Sequence, residues 1–360
     1  MHEPSRSLIP QVELLRAIAL AGIFTFHLWS VTPQVIHSGP AGKLLGTAAR
    51  YGLLGVVVFN FITGFVLALP HLGPQQKPPP AYRQFLRRRF LRICPKYYIA
   101  LSLWTLAMLF SGRENLSGGA ITYVAHLTFL HSIFPSTFFA IVPAYWWLGL
   151  LAQFYLIFPL IMAAFAKIGP ARACLLTCLV CWSGWLLLDH VSRPETPWAV
   201  INYMSYYNLP ARLPEFTLGM WLAAAWRRNT VMENDKCRHS GLAPPYPAFL
   251  AAALLFALSG STVLELKGLP VRHIHLLSWC LVCMVLILFA PCSGKAGSLP
   301  VVANVAAASY SIYLLHQPLL GYADRLLGEA LNPMTEFFLL LLIVGPTSYA
   351  LAAILDKTAP

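Results

Sequence analysis

The chain repeats one pattern: apolar stretches of roughly twenty residues, separated by short segments in which arginine, proline and glycine collect. A helix needs about twenty apolar residues to cross the ~30 Å hydrocarbon core of a bilayer. In lipid the backbone must also satisfy its own hydrogen bonds within the segment. Windows at 8–31, 44–69, 94–111, 145–167, 171–190, 209–227, 246–264, 272–291, 299–321 and 334–355 meet that requirement. A shorter stretch, 119–134, is interrupted by His126 and His131. Charged residues make up 11% of the chain and hydrophobic ones 58%, against about 25% charged in a soluble domain. The predicted fold is therefore all-α: a polytopic transmembrane helical bundle of about ten spans, read as a single integral-membrane domain over 1–360. A cleavable leader is not expected, because the first apolar stretch is too long and carries Glu13 and Arg16.

Basic residues give the orientation, since cytoplasmic loops carry the excess of Lys and Arg. The segment 71–96 holds Lys77, Arg83, Arg87, Arg88, Arg89, Arg92 and Lys96, and 227–245 holds Arg227, Arg228, Lys236 and Arg238. Both read as cytoplasmic loops. They fall on the same side only if 119–134 does not cross, so that stretch is expected to be re-entrant or to lie at the outer surface. Both termini then face the cytoplasm.

Against this background the polar residues inside spans stand out. Arg16 and His27 are eleven residues apart, which on a helix returns to within about 20° of one direction at a separation of about 16 Å. Ionisable groups within a span face a cavity, a partner or a substrate path; bonding to a neighbouring helix is the plainer alternative. Arg212 and Glu215 open the span 209–227, and His316 sits near the outer end of 299–321. Histidine suits general-base work because its ordinary pKa lies near physiological pH. His316 reads either as a second base or as a structural residue.

The arginines at 88, 89 and 92 form a cluster just before a span. Guanidinium groups bind phosphates through bidentate hydrogen bonds, which suits a multiply phosphorylated donor. The same cluster also suits topology setting or contact with anionic lipid headgroups. The net charge of +12 follows largely from such loops and is no argument for nucleic acid. Cys174, Cys178 and Cys181 on one helix and Cys280 and Cys283 on another are read as packing residues, and no metal site is expected. The aromatic pairs Trp146–Trp147 and Tyr206–Tyr207 fit interfacial anchors or a sugar platform.

Six blocks then appear in order. Arg16 and His27 form an Arg-x10-His element. GVVVFNFITGF presents Gly55, Val56, Phe59, Gly64 and Phe65; RRFLRICPKY presents Arg88, Arg89, Arg92, Pro95 and Tyr97; YWWLGLLAQFYLIFPLI presents Trp147, Gln153, Phe154, Tyr155 and Pro159. RLPEFTLGM and SYSIYLLHQPLL, with Ser309, Tyr310, Tyr313, His316 and Pro318, complete the set. Together they resemble membrane acyltransferase family 3, the bacterial integral-membrane O-acyltransferases. Two acids frequent in that family are replaced here, by Val57 and by Leu150 or Leu151. With no hydrolase-like extracytoplasmic domain after the last window, the expected type is the stand-alone one.

The resemblance implies a multi-pass protein of the bacterial cytoplasmic (inner) membrane. Its activity would be O-acyl transfer, acetyl first, from cytoplasmic acyl-coenzyme A to a hydroxyl of an exported saccharide. The expected acceptor is an exopolysaccharide repeat unit or its lipid-linked precursor. Acetyl-coenzyme A would be a co-substrate, with no bound cofactor. Arg88, Arg89 and Arg92 would meet the donor phosphates, Arg16 would flank its path, and His27 would act as base. Glu215 and Arg212 would support the base or orient the acceptor, with His316 as a possible second base. The rival reading is a secondary transporter or flippase for a lipid-linked saccharide, which would show internal repeats; no convincing repeat is visible. Oligomeric state is not legible.

Overall fold

The structure is a computed structural model. It describes residues 9–72, 81–111, 119–191, 207, 209–232, 280–285, 287, 300–327 and 331–358. The expected span 246–264, most of 272–291, the segment 233–245 and residues 73–80 lie outside the described residues. Ten longer helices carry the described chain: α1 (Pro10–Val31), α2 (Gly39–Arg50), α3 (Gly55–Ala68), α4 (Tyr82–Phe110), α5 (Gly119–Leu127), α6 (Trp146–Ile168), α7 (Pro170–Val191), α8 (Leu209–Met232), α9 (Pro300–Leu327) and α10 (Pro333–Thr358). Among the described residues there is no strand. Among the described residues, six helical stretches are long and apolar enough to cross a membrane: Pro10–Val31, Gly39–His71, Tyr82–Phe110, Pro143–Ile168, Pro170–Leu187 and Pro333–Thr358. Helices α8 and α9 have spanning length with a larger polar share.

Three expectations are refined. The window 44–69 is not one continuous α-helix: a 3-10 turn at Tyr51–Leu54 separates α2 from α3. There Gly52 lies against the backbone of Gly22, and Gly55 against the carbonyl of Ala19, so closely that a Cβ would collide. The basic segment 71–96 is helix from Tyr82 onward, because arginine and leucine are good helix formers; its arginines sit on the first turns of α4 rather than in a loop. The stretch 119–134 holds α5, nine residues and about 13 Å of rise, and then a 3-10 turn at Leu130–Ser132, so it is too short to cross as a helix.

The chain divides into two compact units. One comprises Met1–Leu15, Val57–Tyr82 and Gln153–Leu299; the other comprises Arg16–Val56, Arg83–Ala152 and Pro300–Pro360.

In the first unit α3 and α8 approach through glycine. A Cβ on Gly64 would strike the carbonyl of Phe216, and one on Gly219 would strike the carbonyl of Phe61. Such small-residue contacts let membrane helices pack backbone to backbone. The rings of Phe154 and Phe216 stack at 4.5 Å. Gln153 Oε1 accepts the backbone N–H of Leu209 at 3.2 Å, satisfying one of the orphan donors at the start of α8. Arg227 Nε donates to the carbonyl of Leu69 at 3.2 Å, just past the end of α3, where a cation is favoured.

In the second unit α1, α9 and α10 enclose an apolar core of Phe24, Leu28, Val35, Ala49, Leu320, Phe337, Leu340 and Val344. Lys96 of α4 pairs with Asp356 of α10 at 2.7 Å, and Tyr310 of α9 donates to the carbonyl of Ile93 at 2.9 Å. The folded-back segment after α5 is pinned to α4 where the Tyr97 and Tyr98 hydroxyls donate to the carbonyls of His126 and Leu127, at 3.1 and 2.8 Å. Phe129, at φ 60°, takes the left-handed conformation that ends a helix. The rings of His126 and His131 stack there, centroids 4.2 Å apart and 8° from parallel.

Candidate active site

In the second unit α1 and α9 bring two histidines into contact. Nε2 of His316 lies 2.9 Å from Nδ1 of His27, with ring centroids 4.9 Å apart. His316 is fully buried, whereas His27 keeps 9% of its surface exposed. Phe24, one turn before His27, packs its ring 6.0 Å from His316, and Phe26 meets His27 edge-on at 5.3 Å. The pair thus has an apolar wall on the helix that carries the more accessible ring.

The turn holding His316 is anchored by a consequence of Pro318. Proline inside a helix has no N–H for the carbonyl four residues earlier, here that of Leu314. That carbonyl accepts instead from the Tyr145 hydroxyl at 2.8 Å and from Trp104 Nε1 at 3.3 Å. Ala144 adds two bonds: its N–H donates to Gln317 Oε1 at 2.6 Å, and its carbonyl accepts from the Tyr313 hydroxyl. His316 Nδ1 bonds the carbonyl of Tyr313 at 2.9 Å. The SYSIYLLHQPLL block is therefore a scaffold for one imidazole.

Arg16 sits on α1 in the same unit, half-buried and about 16 Å along the axis from His27. Of the cluster on α4, Arg88 and Arg92 are exposed and lie four residues apart, on one face. Arg89 is turned away, half-buried, with its guanidinium 5.5 Å from the ring centroid of Phe85.

The first unit holds a different centre. Arg212 Nη1 lies 2.8 Å from Glu215 Oε1, and Asn60 Nδ2 donates to Glu215 Oε2 at 2.6 Å. All three residues are buried, none more than 1% exposed. Helical spacing of three brings Arg212 and Glu215 onto one face. Asn60 went unrecognised at the sequence level; its only signal was a single amide inside the apolar run GVVVFNFITGF. Among the described residues no group of three His, Cys, Asp or Glu side chains is arranged to hold a metal ion.

A family model described as an acyltransferase domain (Acyl_transf_3) matches residues 9–356, nearly the whole chain. The chain belongs to acyltransferase family 3. It is similar to the peptidoglycan O-acetyltransferase OatA of Listeria monocytogenes, 26% identical over 340 residues that cover 88% of this chain and 50% of that protein. It is also similar to the acyltransferase MdmB of Streptomyces mycarofaciens, 23% identical over 349 residues, covering 90% of this chain and 82% of that one. The chain thus spans about half the length of the first of these relatives. No solved structure matches.

Within family 3 the two departures noted above fall on packing positions. Val57, Leu150 and Leu151 are buried, at 1%, 0% and 4% exposure, so apolar side chains stand where an acid would need a partner to offset its desolvation. The family-3 blocks that do match include the residues that build the histidine pair and its scaffold.

Proposed function

We propose that this family-3 chain is an integral-membrane O-acyltransferase of the bacterial cytoplasmic membrane, with about ten spans and both termini cytoplasmic. It moves an acyl group, acetyl first, from cytoplasmic acyl-coenzyme A to a hydroxyl of an exported saccharide. The acceptor of first choice is an exopolysaccharide repeat unit or its lipid-linked precursor; the likeness to a peptidoglycan O-acetyltransferase supports a saccharide acceptor in general.

The observation that carries this reading is the His27–His316 contact in a chain matched over residues 9–356 by an acyltransferase domain. In this mechanism His27 takes the proton of the acceptor hydroxyl as its oxygen attacks the thioester carbonyl. The C–S bond breaks, and the departing thiolate collects the same proton. Arg88 and Arg92 meet the donor phosphates, with Arg89 beside them, and Arg16 flanks the path of the pantetheine.

The test compares three strains: a deletion, the deletion carrying the wild-type chain, and the deletion carrying His27→Ala at matched membrane abundance. Alkali-labile acetyl on surface saccharide is read by proton NMR. Loss of a positioned general base costs about 10²–10⁴-fold, so the ester signal returns with the wild-type chain and stays absent with His27→Ala. Equal acetylation in all three strains refutes the reading.

A further inference from the structure

We infer that His316 is a positioning residue: it selects the Nδ1–H tautomer of His27 and so leaves Nε2 of His27 as the basic nitrogen. The inference rests on the acyl-transfer reading for its consequence and on the hydrogen bonds alone for its geometry.

The assignment begins at a backbone carbonyl. The carbonyl of Tyr313 can only accept, so the hydrogen in its 2.9 Å bond to His316 must sit on Nδ1 of His316. A neutral imidazole carries one N–H and one lone pair, so Nε2 of His316 is an acceptor. Its partner at 2.9 Å, Nδ1 of His27, must then donate. One hydrogen is thereby assigned to each ring, and the remaining lone pair of the pair lies on Nε2 of His27. Burial agrees with this division of labour. His316, with no exposed surface, cannot meet a substrate, whereas His27 retains some.

The fixed point is the stretch Tyr313–Pro318. The Leu314 carbonyl freed by Pro318 is taken up by Tyr145 and Trp104, and Gln317 and Tyr313 are both bonded to Ala144. These contacts fix the helical turn that carries His316 and the Tyr313 carbonyl that its Nδ1 meets. The catalytic proton passes from the acceptor hydroxyl to Nε2 of His27 and from there to the leaving thiolate. The Nδ1–H of His27 stays in place throughout, and its bond to His316 steadies the ring while it carries the transferred proton. His316 neither gains nor loses a proton. An imidazole held in the wrong tautomer presents N–H where a lone pair is needed, a fault that costs orders of magnitude in a hydrolase triad.

The experiment uses the full chain in lipid nanodiscs, with ¹⁵N-labelled histidine and assignment by difference against His27→Gln. At neutral pH the His27 signals are expected to be protonated at Nδ1 and unprotonated at Nε2. The opposite pattern overturns the inference even if acyl transfer proceeds. Steady-state rates with acetyl-coenzyme A and a soluble saccharide acceptor supply the second arm. His316→Leu should lower kcat about 100-fold with an unchanged KM for the donor. His316→Gln, whose Oε1 can accept the Nδ1–H but cannot titrate, should recover to within about tenfold of wild type. If His316→Gln is as inactive as His316→Leu, His316 works as a second base and the inference fails. If the tautomer is as assigned but the wild-type chain transfers no acyl group, the acyl-transfer reading fails while the positioning assignment stands.

Discussion

Two of the buried polar centres among the described residues, one in each unit, solve the same problem in opposite ways. In the first unit a carboxylate and a guanidinium neutralise each other, and each carboxylate oxygen of Glu215 has a partner, Arg212 on one side and Asn60 on the other. In the second unit two imidazoles, which need not be charged, share a single bond. Burying ions demands a closed network, because an uncompensated charge in a dry interior is very costly. Burying a histidine pair leaves one nitrogen over for chemistry. The ion-bonded triad reads as an anchor that holds α3 to α8, and the histidine pair as the place where a proton moves.

That contrast can be broken most forcefully at the anchor. Arg212→Met leaves Glu215 buried with only Asn60 to offset its charge, and removing one partner of a buried pair costs about 3–5 kcal/mol. The expected result is a lowered thermal midpoint and reduced membrane abundance, with Arg212→Met combined with Glu215→Leu recovering most of the loss. An Arg212→Met protein as stable as wild type would show that the centre is no anchor.

A smaller effect lies in the stacked pair outside the candidate spans. Burial pushes His126 down to about 4; burial, and then the neighbouring His126, push His131 down to about 3. Both folded values lie below the ordinary 6.5, so the unfolded chain binds protons that the folded one refuses. This stability is present above about pH 6.5 and falls as the pH drops toward the folded values. Each residue should lose about 2 kcal/mol between pH 7 and pH 5. Thermal midpoints in nanodiscs at the two pH values measure the loss, and His131→Phe should flatten the dependence.

The smallest effect belongs to the arginines of α4. Arg88→Ala with Arg92→Ala should raise the KM for acetyl-coenzyme A about tenfold, equivalent to ~1.4 kcal/mol, with little change in kcat. Arg89→Ala, whose guanidinium already covers Phe85, should change it less. Equal effects from both would mean that the exposed face is not what the donor phosphates meet.

Much of the fold was legible because periodicity and length are local properties. The windows at 8–31, 145–167, 171–190 and 334–355 correspond to α1, α6, α7 and α10 within a few residues. Local spacing also put Arg212 and Glu215 on one face. The break at Tyr51–Leu54 was hidden because its cause, the approach of Gly52 and Gly55 to α1, lies in a neighbouring helix. The contact of His27 with His316 joins residues 289 positions apart, and no spacing rule reaches that far. Asn60 was overlooked for the same reason: its meaning depends on Glu215, 155 positions away.

Helix α4 has 29 residues, so it is about 44 Å long, whereas the hydrocarbon core is about 30 Å thick. Some nine residues exceed what the core requires, and the arginine-bearing turns at its start account for about that many. In a helix that crosses the bilayer along its axis, cationic side chains on such an overhang would stand at a fixed height in the headgroup layer, as on a rigid post. Anionic lipids crowd the same layer, so whatever phosphorylated molecule approaches these guanidinium groups must displace lipid phosphates from them. The lipid composition of the host membrane thereby becomes a competitor in its own right, set against the protein by the length of a single helix.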